Sequence, residues 1–171
     1  AGVIVGALLG MATAAGLWWA YFDVDAIAGA RGLRDARPTD QVLLARDAYT
    51  YLHFPLLSGV VFFAFGVKHA MVDLTAHLAL VPAVALGGGI ATYLVASSAF
   101  RHRTTGASGR ARVVVSAIVV ALVPAMTAMP ALASVAAACV AVWGLVAVEV
   151  SGDAEKRRRV RLRETPIELT V

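Results

Sequence analysis

The stretch Tyr49–Asp73, YTYLHFPLLSGVVFFAFGVKHAMVD, decides how the rest of the chain is read. Its middle is apolar over the length that a helix needs to cross a bilayer core, about 20 residues for roughly 30 Å. Its ends are polar, with His53 and Pro55 near one and Lys68, His69 and Asp73 near the other. Working outward, similar runs cover residues 3–22, 49–72, 78–100, 113–129 and 131–148. Lipid offers no partner for open backbone groups, so such runs cross as helices; a closed barrel would show short alternating strands instead. Of the 171 residues, 60% are hydrophobic and 15% charged, with mean hydropathy +0.77. Soluble domains are nearer a quarter charged, which disfavours a soluble helical protein. The expected fold is all-α: a polytopic integral membrane helical bundle with about five transmembrane helices.

The charges sit between the runs. Arg31, Arg34, Arg37 and Arg46 fall in a polar loop at 23–48, and Arg101, Arg103, Arg110 and Arg112 in a loop at 101–112. Lys156, Arg157, Arg158, Arg159, Arg161 and Arg163 fall in a basic tail at 151–171. Five crossings put all three segments on one side, with 14 of the 15 lysines and arginines (15 less Lys68). The positive-inside rule then places the loops and the C-terminal tail in the cytoplasm and residue 1 outside. The turn at Met129-Pro130 is tight enough that the last two runs either cross separately or form one kinked hairpin. Topology accounts for the net charge of +4, so no nucleic-acid partner is expected; the basic tail also suits anionic headgroups. The final segment ETPIELTV is expected to be flexible. The chain opens inside an apolar run with no basic segment before it, a pattern expected of a piece of a longer protein rather than of a signal peptide. Cys139 is the single cysteine and reads as a small buried hydrophobe.

Packing signals are of two kinds. Gly2, Gly6, Gly10 and Ala14 recur every four residues on one face of the first run. Such a face admits a close helix, from another span, a missing half or a second subunit; the alternative is chance in a Gly- and Ala-rich chain. Gly87, Gly88 and Gly89 in the third run form either a hinge or, the preferred reading, a close crossing. Pro124 should kink the fourth run, because it removes a backbone donor.

Ionisable groups within or beside the spans are the candidates for function. Asp23 follows Trp18, Trp19 and Tyr21, which suit an interfacial aromatic belt. His53 lies one turn inside the second span, four residues after Tyr49, with Asp47 placed to cap the helix and Pro55 in its first turn after an irregular segment. Glu149 ends the fifth span on the same side. Asp23, His53 and Glu149 therefore share a depth: they either form a polar relay, with histidine passing protons between carboxylates, or mark an interface separately. Lys68 lies ~22 Å along the axis from His53 and ~60° round it. It either lines one pathway with His53 or snorkels outward. His69 is expected to pair with Asp73, one turn on. No phosphate-binding loop, paired-cysteine site, HExxH or metal-ligand spacing occurs, and no serine completes a triad. No cofactor and no metal are expected, and the chain is read as not an enzyme.

The segments GLWWAYFD and ARDAYTYLHFPLLSGVVFFAFGVKHAM resemble the C-terminal half of the bacterial low temperature requirement A (LtrA) membrane proteins. The resemblance rests on Trp18, Trp19, Tyr21, Phe22, Asp23, Tyr49, His53, Pro55, Gly59, Gly66, Lys68 and His69. It extends more loosely through LGGGIATYLVASSAFRHR to Glu149. It implies a protein about twice this length, made of two five-span repeats, in a bacterial inner membrane. An odd number of spans inverts one repeat against the other, a common transporter plan. The implied partners are the lipid bilayer, the missing N-terminal half, an ion, proton or small solute and, in addition, a second copy of the chain. The rival expectation is a structural or sensory membrane protein supporting growth in the cold. The family supplies no catalytic residue to carry over.

Overall fold

Helix covers most of the computed structural model, which describes residues 2–23 and 25–163, without the side chains of 27, 28 and 153–163. The described helices are α1 (Gly2–Phe22), α2 (Asp25–Asp35), α3 (Pro38–Ala45), α4 (His53–Ala70), α5 (Leu80–Thr105), α6 (Arg110–Ala121), α7 (Val123–Met126) and α8 (Ala131–Arg163). A π-helical stretch, Arg46–Tyr51, joins α3 to α4. Gly106 ends α5 in the left-handed conformation (φ 69°), a position that favours glycine, and its N–H bonds His102 O at 2.9 Å.

Two sets of chain ends define the bundle. At one end the turn after α4 meets the start of α8: Ala131 N donates to Ala76 O (2.8 Å) and Leu132 N to Leu74 O (3.0 Å). Leu74 also lies under Gly2 and Gly6 of α1. At the other end are the C-termini of α1 and α5, the N-termini of α4 and α6, and α2. The chain thus runs between these ends five times. Four of the passages, Gly2–Phe22, Pro38–Ala70, Leu80–Thr105 and Ala131–Gly152, are each long and apolar enough to cross a membrane. The remaining one is the pair α6–α7, broken at Leu122. Pro124 explains the break: it donates no hydrogen bond and its ring crowds the carbonyl four residues back.

Three sequence expectations are corrected. Residues 23–48 are not a loop. They hold α2 and α3, and α3 continues through the π stretch into α4, so that one helical passage spans Pro38–Ala70. The segment is amphipathic: Leu44 and Ala48 are buried while its arginines face outward. The turn before Pro55 is π-helical rather than irregular, which widens the helix where proline would otherwise strike the preceding turn. Asp47 does not cap α4; it pairs with Arg46 (3.0 Å) and Arg103 (3.2 Å). The tail is helical as far as Arg163, since residues 151–163 carry no proline and many good helix formers. The ETPIELTV segment, 164–171, lies outside the described residues, as do the side chains of Lys156, Arg157, Arg158, Arg159, Arg161 and Arg163.

α5 is the central helix: 61% of its apolar window is buried, against 33% for α1 and 22% for Pro38–Ala70. Glycines set its contacts. A Cβ on Gly89 would lie 2.4 Å from Phe63 N, one on Gly59 2.7 Å from Gly89 O, and one on Gly66 2.6 Å from Leu86 N. Backbone therefore touches backbone where α4 crosses α5. Gly87 instead faces α6 and α7, at Val119 and Val123, and Gly88 faces outward. The glycine triplet is a crossing point, not a hinge, and α5 runs through it unbroken. The Gly2, Gly6 and Gly10 face of α1 packs against side chains of this same chain, Leu74, Met71 and Val67; Ala14 is exposed.

Neighbouring glycines should therefore respond oppositely to one methyl group. Gly89→Ala is expected to destabilise the bundle by about 1–3 kcal/mol, as over-packing does. Gly88→Ala, whose Cβ meets only Val84 at 3.9 Å, should leave the thermal midpoint in detergent unchanged or slightly raised.

Candidate functional site

Arg112 lies in the first turn of α6. Ser116 and Val119, four and seven residues on, share its buried face, so helical periodicity turns the arginine inward. Its side chain is 1% exposed. The guanidinium grips Glu149 of α8 with two bonds, Nε to Oε1 at 2.8 Å and Nη2 to Oε2 at 2.9 Å. This is the paired geometry that arginine forms with carboxylates. Nη2 also donates to Ala20 O, near the end of α1, at 2.8 Å, and Nη1 donates to Oδ2 of Asp25, the first residue of α2. One side chain thus ties α6 to α1, α2 and α8.

Arg101, from α5, is the second cation. Its Nε stands 3.7 Å from Asp25 Oδ1 and its Nη1 3.8 Å from Glu149 Oε1. Both separations suit ion pairs but exceed hydrogen-bond length. Among the described residues Asp25 Oδ1, which is buried, has no hydrogen-bond partner. Two guanidinium and two carboxylate groups balance in charge. Burial pushes the Asp25 carboxyl above the ordinary aspartate range, against the opposing pull of Arg112 and Arg101. A cleft of about 10 Å³, the room of roughly one water, opens beside the cluster among Trp19, Asp23, Arg101, Arg112 and Glu149.

A second polar pair lies at the same end. His53 Nδ1 bonds the backbone oxygen of Ala48 at 2.9 Å, and Nε2 lies 3.1 Å from Tyr21 Oη. A carbonyl only accepts, so Nδ1 carries a proton, and Nε2 and the tyrosine hydroxyl share the second hydrogen bond. Tyr49 stacks on the ring at 5.5 Å and Phe100 meets it edge-on at 5.4 Å.

Asp23, His53 and Glu149 do share one end of the bundle, with different partners. Glu149 belongs to the arginines, His53 to Tyr21 and Ala48, and Asp23 is exposed on the rim of the cleft. Lys68 is exposed near the opposite end of α4. His69 bonds Phe65 O (3.0 Å) and packs on the Phe65 ring. The expected His69–Asp73 pair does not form. Asp73 Oδ1 instead accepts from Thr75 N (2.9 Å), Thr75 Oγ1 (2.7 Å) and Ala76 N (3.2 Å), closing the turn. These bonds, led by the Thr75 hydroxyl, hold its carboxyl below the usual range. Sequence reasoning passed over Asp25 and Tyr21 as site residues and read Arg101 and Arg112 only as topology signals. The spacing Arg112, Ser116, Val119 was the available clue to an inward arginine. Among the described residues no group of three or more His, Cys, Asp and Glu side chains is placed to hold a metal ion.

The chain matches the bacterial low temperature requirement A protein family (LtrA) over residues 1–148. The matched segment takes in His53, Asp25, Arg101 and Arg112 and stops one residue before Glu149. No curated protein and no solved structure matches the chain.

Removing one partner from the cluster strands the others. Arg112→Met should cost about 3–5 kcal/mol, the range for breaking a buried pair, read as a lower thermal midpoint. Neutralising all four groups together (Asp25→Asn, Arg101→Met, Arg112→Met, Glu149→Gln) should recover most of that loss, because no uncompensated charge remains.

Proposed function

Since the chain belongs to the bacterial low temperature requirement A (LtrA) family and has four helices suited to crossing a membrane, we propose that it moves a proton, ion or small polar solute across the bacterial inner membrane. The observation that carries this reading is the buried cluster of Asp25, Arg101, Arg112 and Glu149, in which Asp25 Oδ1 has no hydrogen-bond partner among the described residues and Arg101, Arg112 and Glu149 line a water-sized cleft. Ionisable side chains buried inside a membrane bundle are costly even near its end, and they commonly mark ion or proton paths. A bundle that required only stability would do as well with apolar residues there. In this reading the cluster is a gate at the cytoplasmic mouth, the side to which the arginine-rich segments assign it. Arg112 holds both carboxylates, while Arg101 stands within reach of both. Protonation of Asp25 at Oδ1, or arrival of a cation there, weakens its hold on Arg112 and frees the helices that Arg112 joins. The protein acts as a carrier or channel element rather than an enzyme.

A second reading has one observation of its own. α8 continues as helix to Arg163, well past the apolar window that ends at Gly152. A basic helical extension suits contact with anionic headgroups or a partner, as a structural or sensory protein would use it.

Reconstitution of the full chain in vesicles containing a pH-sensitive dye separates the two. Asp25→Asn is expected to reduce proton-linked flux about tenfold or more, equivalent to roughly 1.4 kcal/mol of barrier, while removal of residues 153–171 leaves it in place. Flux unchanged by Asp25→Asn in a correctly inserted protein would overturn the gate. Flux absent from wild type and every variant favours the second reading.

A further inference from the structure

α1 and α4 are in contact at one end and apart at the other. Near the start of α1, Gly6 and Gly10 receive Met71, Leu74 and Val67. Further along, α1 leans on α8 instead: Gly16 lies against Val142, and Trp143 Nε1 donates to Ala12 O at 2.9 Å. The divergence leaves a lateral groove of about 450 Å³ between α1 and α4. Phe63 and Tyr93 line it from within, Leu57 and Val60 on the α4 side, and Ala14 and Trp18 on the α1 side. Tyr93 Oη donates to Leu17 O at 2.8 Å, which fixes α1 at this spacing from α5. Its volume lies within the range of small-molecule cavities, about 300–1,000 Å³.

The groove changes character along its length. Its lining is apolar until the last turn of α1 and the first of α4, where Tyr21 and His53 meet. Tyr21 Oη shares one hydrogen bond with His53 Nε2 and, whichever of the two donates, keeps a lone pair to accept another bond. Trp18 and Trp19 place this end at headgroup depth. The exposed rims are continuous with the apolar outer faces of α1 and α4, represented by Leu8, Met11, Leu57 and Val61, the surfaces that meet the bilayer. The comparable groove between α4 and α5, about 510 Å³, has Thr92 as its polar lining residue and no ionisable side chain.

We propose that the α1–α4 groove is a lipid site, holding one acyl chain of a bilayer phospholipid with a headgroup donor, such as the ammonium of phosphatidylethanolamine, at Tyr21. An apolar slot open to the membrane fills with hydrocarbon, and a polar acceptor at headgroup depth selects a head that can donate. The site is separate from the charge cluster and stands whether or not the chain transports anything.

Native mass spectrometry of the full chain in mild detergent tests this. Wild type should keep one adduct of phospholipid mass per chain after other lipid is stripped, and regain it when phosphatidylethanolamine is added to delipidated protein. Ala64→Phe and Ala14→Phe, each filling the groove from an exposed rim position, should lower the bound fraction about tenfold. Tyr21→Phe, which removes only the hydroxyl, should weaken recovery with phosphatidylethanolamine more than with phosphatidylcholine, whose head has no N–H donor. Gly88→Leu, directed into the other groove, should change nothing. Equal retention in the two groove-filled variants, an adduct of fatty-acid mass, or a second copy of the chain in place of the lipid would each overturn the proposal.

Discussion

A guanidinium removed from water imposes conditions on everything near it. Arg112 cannot discard its charge, so burial obliges the fold to supply carboxylates and acceptors around it. It receives Glu149 from α8, Asp25 from α2 and the Ala20 carbonyl from α1. Those three partners fix the depth at which α8 passes α6, oblige the chain to turn into a helix directly after α1, and set where α1 ends. α2 is in place for the same reason. Gly29 and Gly32 let it lie against Phe100 and Thr104 of α5, where a Cβ on Gly32 would fall 2.3 Å from a backbone oxygen. This end of the bundle is thus organised by charge, and its opposite end by apolar packing and backbone pairing around Leu74, Ala76 and Ala131.

These ends need a frame that holds their separation, and the α4–α5 crossing provides it. Gly59, Gly66 and Gly89 bring two backbones into contact over the middle of the bundle. In lipid there is little hydrophobic drive between helices, so close packing of this kind carries the association. α1 has no such crossing. It meets its neighbours through side chains and leaves a wedge against α4. α1 is held instead by packing on α8, at Gly16 and Val142, and by polar ties at Ala20, Leu17 and Ala12.

The membrane-helix architecture was legible from Tyr49–Asp73 and its counterparts because apolar length is a one-dimensional property. The shared depth of Asp23, His53 and Glu149 was legible for the same reason, since depth follows from counting along helices. Their partners were not. Which way a side chain turns depends on packing angles between helices, and no count along the chain supplies these. Arg101 and Arg112 illustrate the difficulty. Their number fits the positive-inside rule whether they face water or protein, so topology accounted for them before burial was considered. The polar stretch 23–48 misled in the converse way: its many charges read as a loop, whereas their placement on one face of α2 and α3 leaves Leu33, Leu44 and Ala48 to pack inward. The glycine triplet was ambiguous until its three directions were separated, since adjacent residues on a helix point about 100° apart.

The unequal bonding within the cluster matters more than its overall neutrality. Were the four charges merely a clasp, both cations would be expected to bond the carboxylates at hydrogen-bond length, for an unmade bond in a buried site is a loss. Arg112 does so and Arg101 does not; it waits 3.7 and 3.8 Å from the same two groups. Among the described residues Asp25 Oδ1 has no hydrogen-bond partner, and it is the oxygen that Arg101 approaches. A closer approach of α5 to α2 would complete that bond, but Gly32 is already against Thr104, so backbone contact resists it. The packing of α2 on α5 thus sets the separation between Asp25 and Arg101.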